Sequence, residues 1–186
     1  WMFANLQDLA MDLVRYARMG LDMQCENMLF PIPYKNNKTN LYDVTPMPGY
    51  NGIRYVAMKY APHKPKADTI ELVYSNDKFA PHPKDSRHQV ASNEIEITDP
   101  FDRGDNVGGF GYLEYDDPTR NELIVMPMAA FRKRMPKYAS AEFWGGTKQV
   151  YNKETGKKED TTVEGWLVEL CRKTLIREGV GAKHIV

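Results

Sequence analysis

What the chain has little of narrows its chemistry first. Its 186 residues hold two cysteines, Cys25 and Cys171, and four histidines, His63, His82, His88 and His184. Two such distant cysteines make neither a disulfide framework nor a structural zinc site, and the histidines lack metal-ligand spacing. No run nears the ~18 apolar residues of a membrane span. No basic segment followed by an apolar core and a small-residue cleavage site marks a secretory leader, so a cytoplasmic protein without membrane contact is expected. Groupings that build a catalytic centre are missing too: there is no nucleophile with its base and orienting group, and no phosphate loop with Lys and Ser/Thr. The expectation is a non-enzyme with no catalytic residue, no metal and no cofactor.

The formal net charge is also zero, but it is unevenly spread. Residues 1–61 carry six cations and five acids (+1), residues 62–126 seven and thirteen (−6), and residues 127–186 twelve and seven (+5). A protein that grips a polyanion in one groove needs local rather than global positive charge. The pattern is compatible with a basic track and an acidic outer face, and equally with an ordinary solvated surface. With 42% apolar and 27% charged residues, the composition suits a globular chain, read as one domain over 1–186. Because the chain opens at Trp1 and stops at Val186, flanking segments of a longer protein are expected on both sides.

Taken in order, Leu6, Leu9, Ala10, Leu13, Val14 and Ala17 recur at helical spacing, and Gly20 stops that helix. Asn27 to Tyr34, with Pro31 and Pro33, reads as an edge strand, joined by the polar loop Lys35 to Asn40 to a second extended stretch from Tyr42. Lys35 and Lys38 on that loop are phosphate contacts or solvated lysines. The chain then turns at Gly49-Tyr50-Asn51-Gly52 and enters a helix at about Tyr50. Two readings of this unit stand: a corner whose glycines relieve backbone strain, or a turn and helix N-terminus offered to an anion such as phosphate.

Further on, Asp68 to Asp77 alternates as a strand. Lys78 to Arg103 is polar and broken by prolines, with only Glu94 to Ile97 strand-like, and reads as a long excursion with a short hairpin. Its acids, Glu94, Glu96, Asp99, Asp102 and Asp105, admit a divalent-metal reading but lack the regular spacing of a calcium loop. Val107 to Tyr115 and Glu122 to Met126 flank a turn at Asp116 to Thr119 as a hairpin, and Pro127 opens a helix from Met128 to Met135 with Arg132, Lys133 and Arg134 in a row. Phe143 to Thr162 reads as a flexible basic connector, and Thr162 as the N-cap of a final helix bearing Trp166, Leu167, Leu170 and Leu175, with Arg172, Lys173 and Arg177 projecting from it.

Five segments in order carry a resemblance: Arg18 to Asp22 (RMGLD), Leu29 to Tyr34 (LFPIPY), Gly49 to Arg54 (GYNGIR), Thr119 to Met135 (TRNELIVMPMAAFRKRM) and Leu170 to Arg177 (LCRKTLIR). Together they resemble the RecT family of phage-type single-strand annealing proteins. The resemblance implies an α+β core, a curved antiparallel sheet of about five strands with packed helices. It also implies binding of single-stranded and annealed duplex DNA in homologous recombination without ATP, homo-oligomeric rings or helical filaments, and a partner 5′-to-3′ exonuclease in the host cytoplasm at the nucleoid. The family's contacts map onto Gly49, Tyr50, Asn51, Gly52, Arg54, Arg132, Lys133, Arg134, Arg172, Lys173 and Arg177. Where close relatives carry a cation this chain has Asn51, for which Arg54 or Lys35 would compensate. Trp166 lies one position from the tryptophan of the family helix, where it either stacks or packs, with core packing expected. Two other classes remain open: a metal-dependent phage nuclease using the acidic middle, and a self-assembling structural phage protein with an incidental basic face.

Overall fold

In chain order the elements are α1 (Leu6–Arg18), β1 (Leu29–Asn36), β2 (Leu41–Pro48), α2 (Tyr50–Tyr60), β3 (Ala67–Tyr74), β4 (Lys78–His82), β5 (Ser92–Glu96), β6 (Asn106–Glu114), β7 (Glu122–Pro127), α3 (Met128–Lys133), α4 (Ala141–Trp144), β8 (Gly146–Asn152), β9 (Lys157–Val163) and α5 (Leu167–Ile176). They come from a computed structural model that describes residue 4 and residues 6–136, 140–153 and 155–181. The fold is α+β and its strand ladders are antiparallel. Instead of one sheet of about five strands, the described residues form a three-stranded sheet, β3-β6-β7, and three two-stranded hairpins, β1-β2, β4-β5 and β8-β9. Contacts group the chain into two compact units, Trp1–Pro65 with Ile176–Val186, and Lys66–Leu175.

In the first unit, α1 and α2 close over the β1-β2 hairpin around buried Leu21, Leu29 and Val56, with Leu13, Tyr16, Met28 and Tyr55 packed beside them. The hairpin register pairs Leu29 with Pro48 and Lys35 with Tyr42. Lys35 is therefore a strand residue rather than a loop residue; the ladder runs past Tyr34 because neither Lys35 nor Asn36 interrupts backbone pairing. The periodicity of α1 is real, but only Leu9 among its residues is buried, while Leu6, Met11 and Val14 are exposed. A π-helical turn, Arg177–Gly181, packs against α2.

The second unit is a sheet covered on both faces. Leu72, Gly109 and Met126 stand in one cross-strand row, and Leu72 and Met126 join Phe131 of α3 with Cys171 and Leu175 of α5 in one buried cluster. A Cβ on Gly109 would lie 2.7 Å from Leu175 Cδ1, so α5 rests almost on the backbone of β6. Glu71, Phe110 and Val125 form the neighbouring row, which faces the other way. There Phe110 stacks on Phe79 of β4, ring centroids 4.9 Å apart, and the Tyr112 hydroxyl donates to the Ala91 carbonyl (3.2 Å) while accepting from the buried Asn121 amide (2.7 Å).

Arg103 locks the strand ends on this side. Its guanidinium donates to both Asp77 oxygens (3.1 and 2.6 Å), to Glu71 (3.2 Å) and to the Leu72 carbonyl (2.9 Å), and it lies over the Tyr74 ring at 4.4 Å. Asp77 also accepts the Tyr74 N–H (2.9 Å). The hydrogen bond from Arg103, helped by that N–H and opposed by burial, holds the Asp77 carboxyl below the usual carboxylate range.

Three expectations about the end of the chain are corrected. The stretch Phe143 to Thr162 is not a connector: it contains α4 and the β8-β9 hairpin, in register from Gly146↔Val163 to Asn152↔Lys157. Thr162 pairs with Thr147 inside that ladder and caps no helix; α5 starts at Leu167, because the chain must first turn through Gly165 at φ 72°. Trp166, expected in the core, is 61% exposed, since it precedes the first turn of α5 and misses its buried stripe.

Candidate nucleic-acid interface

The Gly49-Tyr50-Asn51-Gly52 turn does form the N-terminus of α2, but its Gly49, Asn51 and Gly52 amides are taken. Asn27, at φ 55°, turns its carbonyl onto the helix end and accepts the Asn51 and Gly52 N–H groups (3.2 and 3.4 Å). The Gly49 N–H donates to the Met28 carbonyl (3.1 Å), the Asn51 side-chain amide to the Glu26 carbonyl (3.1 Å), and the Asn27 amide to the Tyr50 hydroxyl (2.8 Å). A backbone carbonyl thus fills the place an anion would take. The glycines serve close approach: a Cβ at Gly49 would meet the Asn27 carbonyl oxygen, and one at Gly52 the Met28 carbonyl oxygen. Of the two readings of this turn, the packed corner describes the backbone. Arg54, one turn on, is exposed, as are Lys35 on β1 and Arg177 at the π-helical turn, and these three share the first unit.

The second unit brings the other cations together. Phe131, Cys171 and Leu175 share one buried cluster, so α3 and α5 are anchored in the same core, and Arg132 is close enough to oppose the rise of the Cys171 thiol, which burial pushes up to about 11. Arg132, Lys133, Arg172 and Lys173 are exposed and have no hydrogen-bond or ion-pair partner among the described residues. Arg134 is exposed but engaged, its guanidinium donating to the Ala130 carbonyl (3.2 Å). Cations that make no ion pair among the described residues, on helices fixed by a buried core, keep donors that can hold phosphates through charge-assisted hydrogen bonds.

The acidic middle does not converge. Glu96 pairs with Lys78 across the β4-β5 ladder (3.1 Å) and Asp99 accepts the Phe101 N–H (2.9 Å). Among the described residues no group of three or more Asp, Glu, His or Cys is placed to hold a metal ion. Nor is any helix among them long and apolar enough to cross a membrane. One feature that the sequence did not single out is Trp144, which lines a cavity beside Arg132; its only signal in the sequence is the adjoining Gly145, which a backbone crossing requires.

A sequence model described as the RecT family matches residues 2–166. No curated protein and no solved structure matches the chain. The matched span includes the turn of α2 and all of α3 but stops before α5, so Arg172, Lys173 and Arg177 rest on their own exposure and charge. With a match over most of its length, the chain belongs to the RecT family, the phage-type proteins that bind and anneal single-stranded DNA in recombination.

Proposed function

We propose that this chain is an ATP-independent, non-enzymatic annealing core, a single annealing domain, that holds one strand by its phosphates and leaves the bases available for pairing. The observation that carries the reading is the group of exposed cations on α3 and α5 with no protein partner among the described residues. Arg132, Lys133, Arg134, Arg172 and Lys173 then grip the backbone in one unit, and Lys35, Arg54 and Arg177 in the other. Tyr50 and Asn51 contribute side chains at the turn that Gly49 and Gly52 shape. Such binding is sequence-independent and falls steeply with salt.

One chain covers only ~4 to 16 nucleotides by comparison with other single-strand-binding modules, so neighbouring copies must extend the track as a ring or helical filament. The exposed Leu6, Met11 and Val14 of α1 supply apolar surface for that contact. A 5′-to-3′ exonuclease that exposes the strand, and a site of action at the nucleoid in the host cytoplasm, complete the reading. Strand annealing of complementary oligonucleotides without ATP, repeated across a salt series, tests it. Faster duplex formation that weakens with salt is the expected result; magnesium-dependent cleavage, or self-assembly without DNA affinity, would replace it with a nuclease or structural role.

A further inference from the structure

Two cavities in the molecule differ in what they could hold. One, of about 460 Å³ in the first unit, is walled by Leu13, Ala17, Leu21, Met23 and Leu29, with Asp22 as its charged group. An acid in an apolar wall does not suit a polyanion. The other, of about 360 Å³, lies in the second unit between the end of α3 and the α4-β8 turn, lined by Arg132, Met135, Trp144, Gly145, Glu164 and Leu167 among others. Its size falls within the ~300–1,000 Å³ of small-molecule sites.

The walls of the second cavity are set by backbone. Gly145 and Gly165 both have positive φ (76° and 72°), and a Cβ on Gly165 would come within 2.9 Å of Gly145 Cα, so the two segments cross where side chains cannot fit. The Trp166 N–H donates to the Phe143 carbonyl (2.8 Å) and fastens the crossing. Inside, neither the Arg132 guanidinium nor the Trp144 indole N–H has a hydrogen-bond partner among the described residues. Arg132 is exposed and stands at the rim, while Trp144 is half-buried. Glu164 brings an acid to the lining, which disfavours a phosphate within the cavity, while its oxygens can accept N–H groups from a neutral ring. An indole in the lining, an acceptor in the same wall and an exposed cation together match a nucleotide: base inside, phosphate outside.

We propose that this cavity takes one unstacked base of the bound strand, its ring against Trp144 and its phosphate at Arg132. The inference rests on the single-strand-binding reading above and adds to it that each chain withdraws one base from its stack while neighbouring bases stay free to pair.

A Trp1→Phe, Trp166→Phe variant leaves Trp144 as the one tryptophan and serves as the reporter. Its emission is followed with an oligodeoxythymidine and with an abasic oligomer of the same length, while anisotropy of a labelled 5′ end reports binding of each. Oligodeoxythymidine is expected to quench Trp144 and the abasic oligomer to bind without quenching. Trp144→Ala should weaken oligodeoxythymidine binding between about fivefold and a hundredfold, the range for loss of one stacked base, and leave abasic binding unchanged. Binding of both oligomers with no quenching by either, or quenching by both alike, overturns the base pocket while the annealing reading stands. No binding of either oligomer to the parent protein overturns both. The quenching measurement leaves Trp144 in place, so it decides the matter even if the alanine variant fails to fold.

Discussion

The unit Lys66–Leu175 handles positive charge in two opposite ways. At the ends of β3, Arg103 is surrounded by acceptors: two Asp77 oxygens, Glu71, the Leu72 carbonyl and the Tyr74 ring face. On α3 and α5, Arg132, Lys133, Arg172 and Lys173 have no such partners among the described residues. Residue type is the same and the local charge is not, since the stretch from 62 to 126 is strongly acidic and that from 127 to 186 basic. A cation encircled by its own protein's acids holds the fold together and has nothing left to offer a ligand. One fixed by apolar packing but left without an ion pair keeps its donors for an anionic ligand.

Removing each kind of cation separates the two roles. Arg103→Ala leaves Asp77, whose side chain is 1% exposed, as a buried unpaired carboxylate, and should cost about 3–5 kcal/mol in urea unfolding. A loss under 1 kcal/mol would place Arg103 with the surface cations. The pH dependence sharpens this. Asp77 has a lowered folded-state pKa, so its contribution is complete above the ordinary carboxylate value near ~4 and is lost as pH falls through the lowered one. In the variant the lone buried carboxyl prefers its proton, so the stability gap between the two proteins should narrow in acid.

Gly52→Ala comes next, at about 1–3 kcal/mol, because the added methyl meets the Met28 carbonyl. DNA affinity per folded molecule should be retained. A selective loss of affinity with unchanged stability would make the turn a phosphate site despite its occupied amides.

Lys173→Ala should leave stability within about 0.5 kcal/mol, weaken DNA binding, and reduce the slope of log affinity against log salt by about one unit. An unchanged titration removes Lys173 from the track. The smallest effect is expected from Trp166→Ala, within about 0.5 kcal/mol of stability because the ring is already 61% exposed; a large loss would restore the core role that the sequence suggested.

The elements that the sequence made legible were those whose apolar residues recur at a regular period, even where, as in α1, most of them stay exposed. The period of α1, the strand alternation of β3, and the β6-β7 hairpin around Asp116 to Thr119 were all readable, as was the helix beginning at Tyr50. The β8-β9 hairpin was hidden because its strands are almost wholly exposed and rich in Lys and Thr, so backbone pairing holds them without any hydrophobic signature. A short hairpin was legible between Lys78 and Arg103, but Pro81 concealed which run forms its first strand, β4. The Arg103 partners lie 26 to 32 residues away in sequence, a distance over which no local pattern operates. At the site, α3 and its three adjacent cations could be read directly, whereas the fate of the α2 amides depended on a single left-handed residue, Asn27, far from the turn it covers.

Gly109 gives the central strand a say in where the cations of α5 stand. Because the position has no side chain, Leu175 sits against the strand itself and α5 takes the closest standoff the sheet allows. A single methyl there would act as a shim, lifting Leu175 and shifting Arg172 and Lys173 on the same helix relative to α3. The spacing between the cations of α3 and those of α5 is therefore gauged by a missing atom in the middle of β6, under the helix rather than on it.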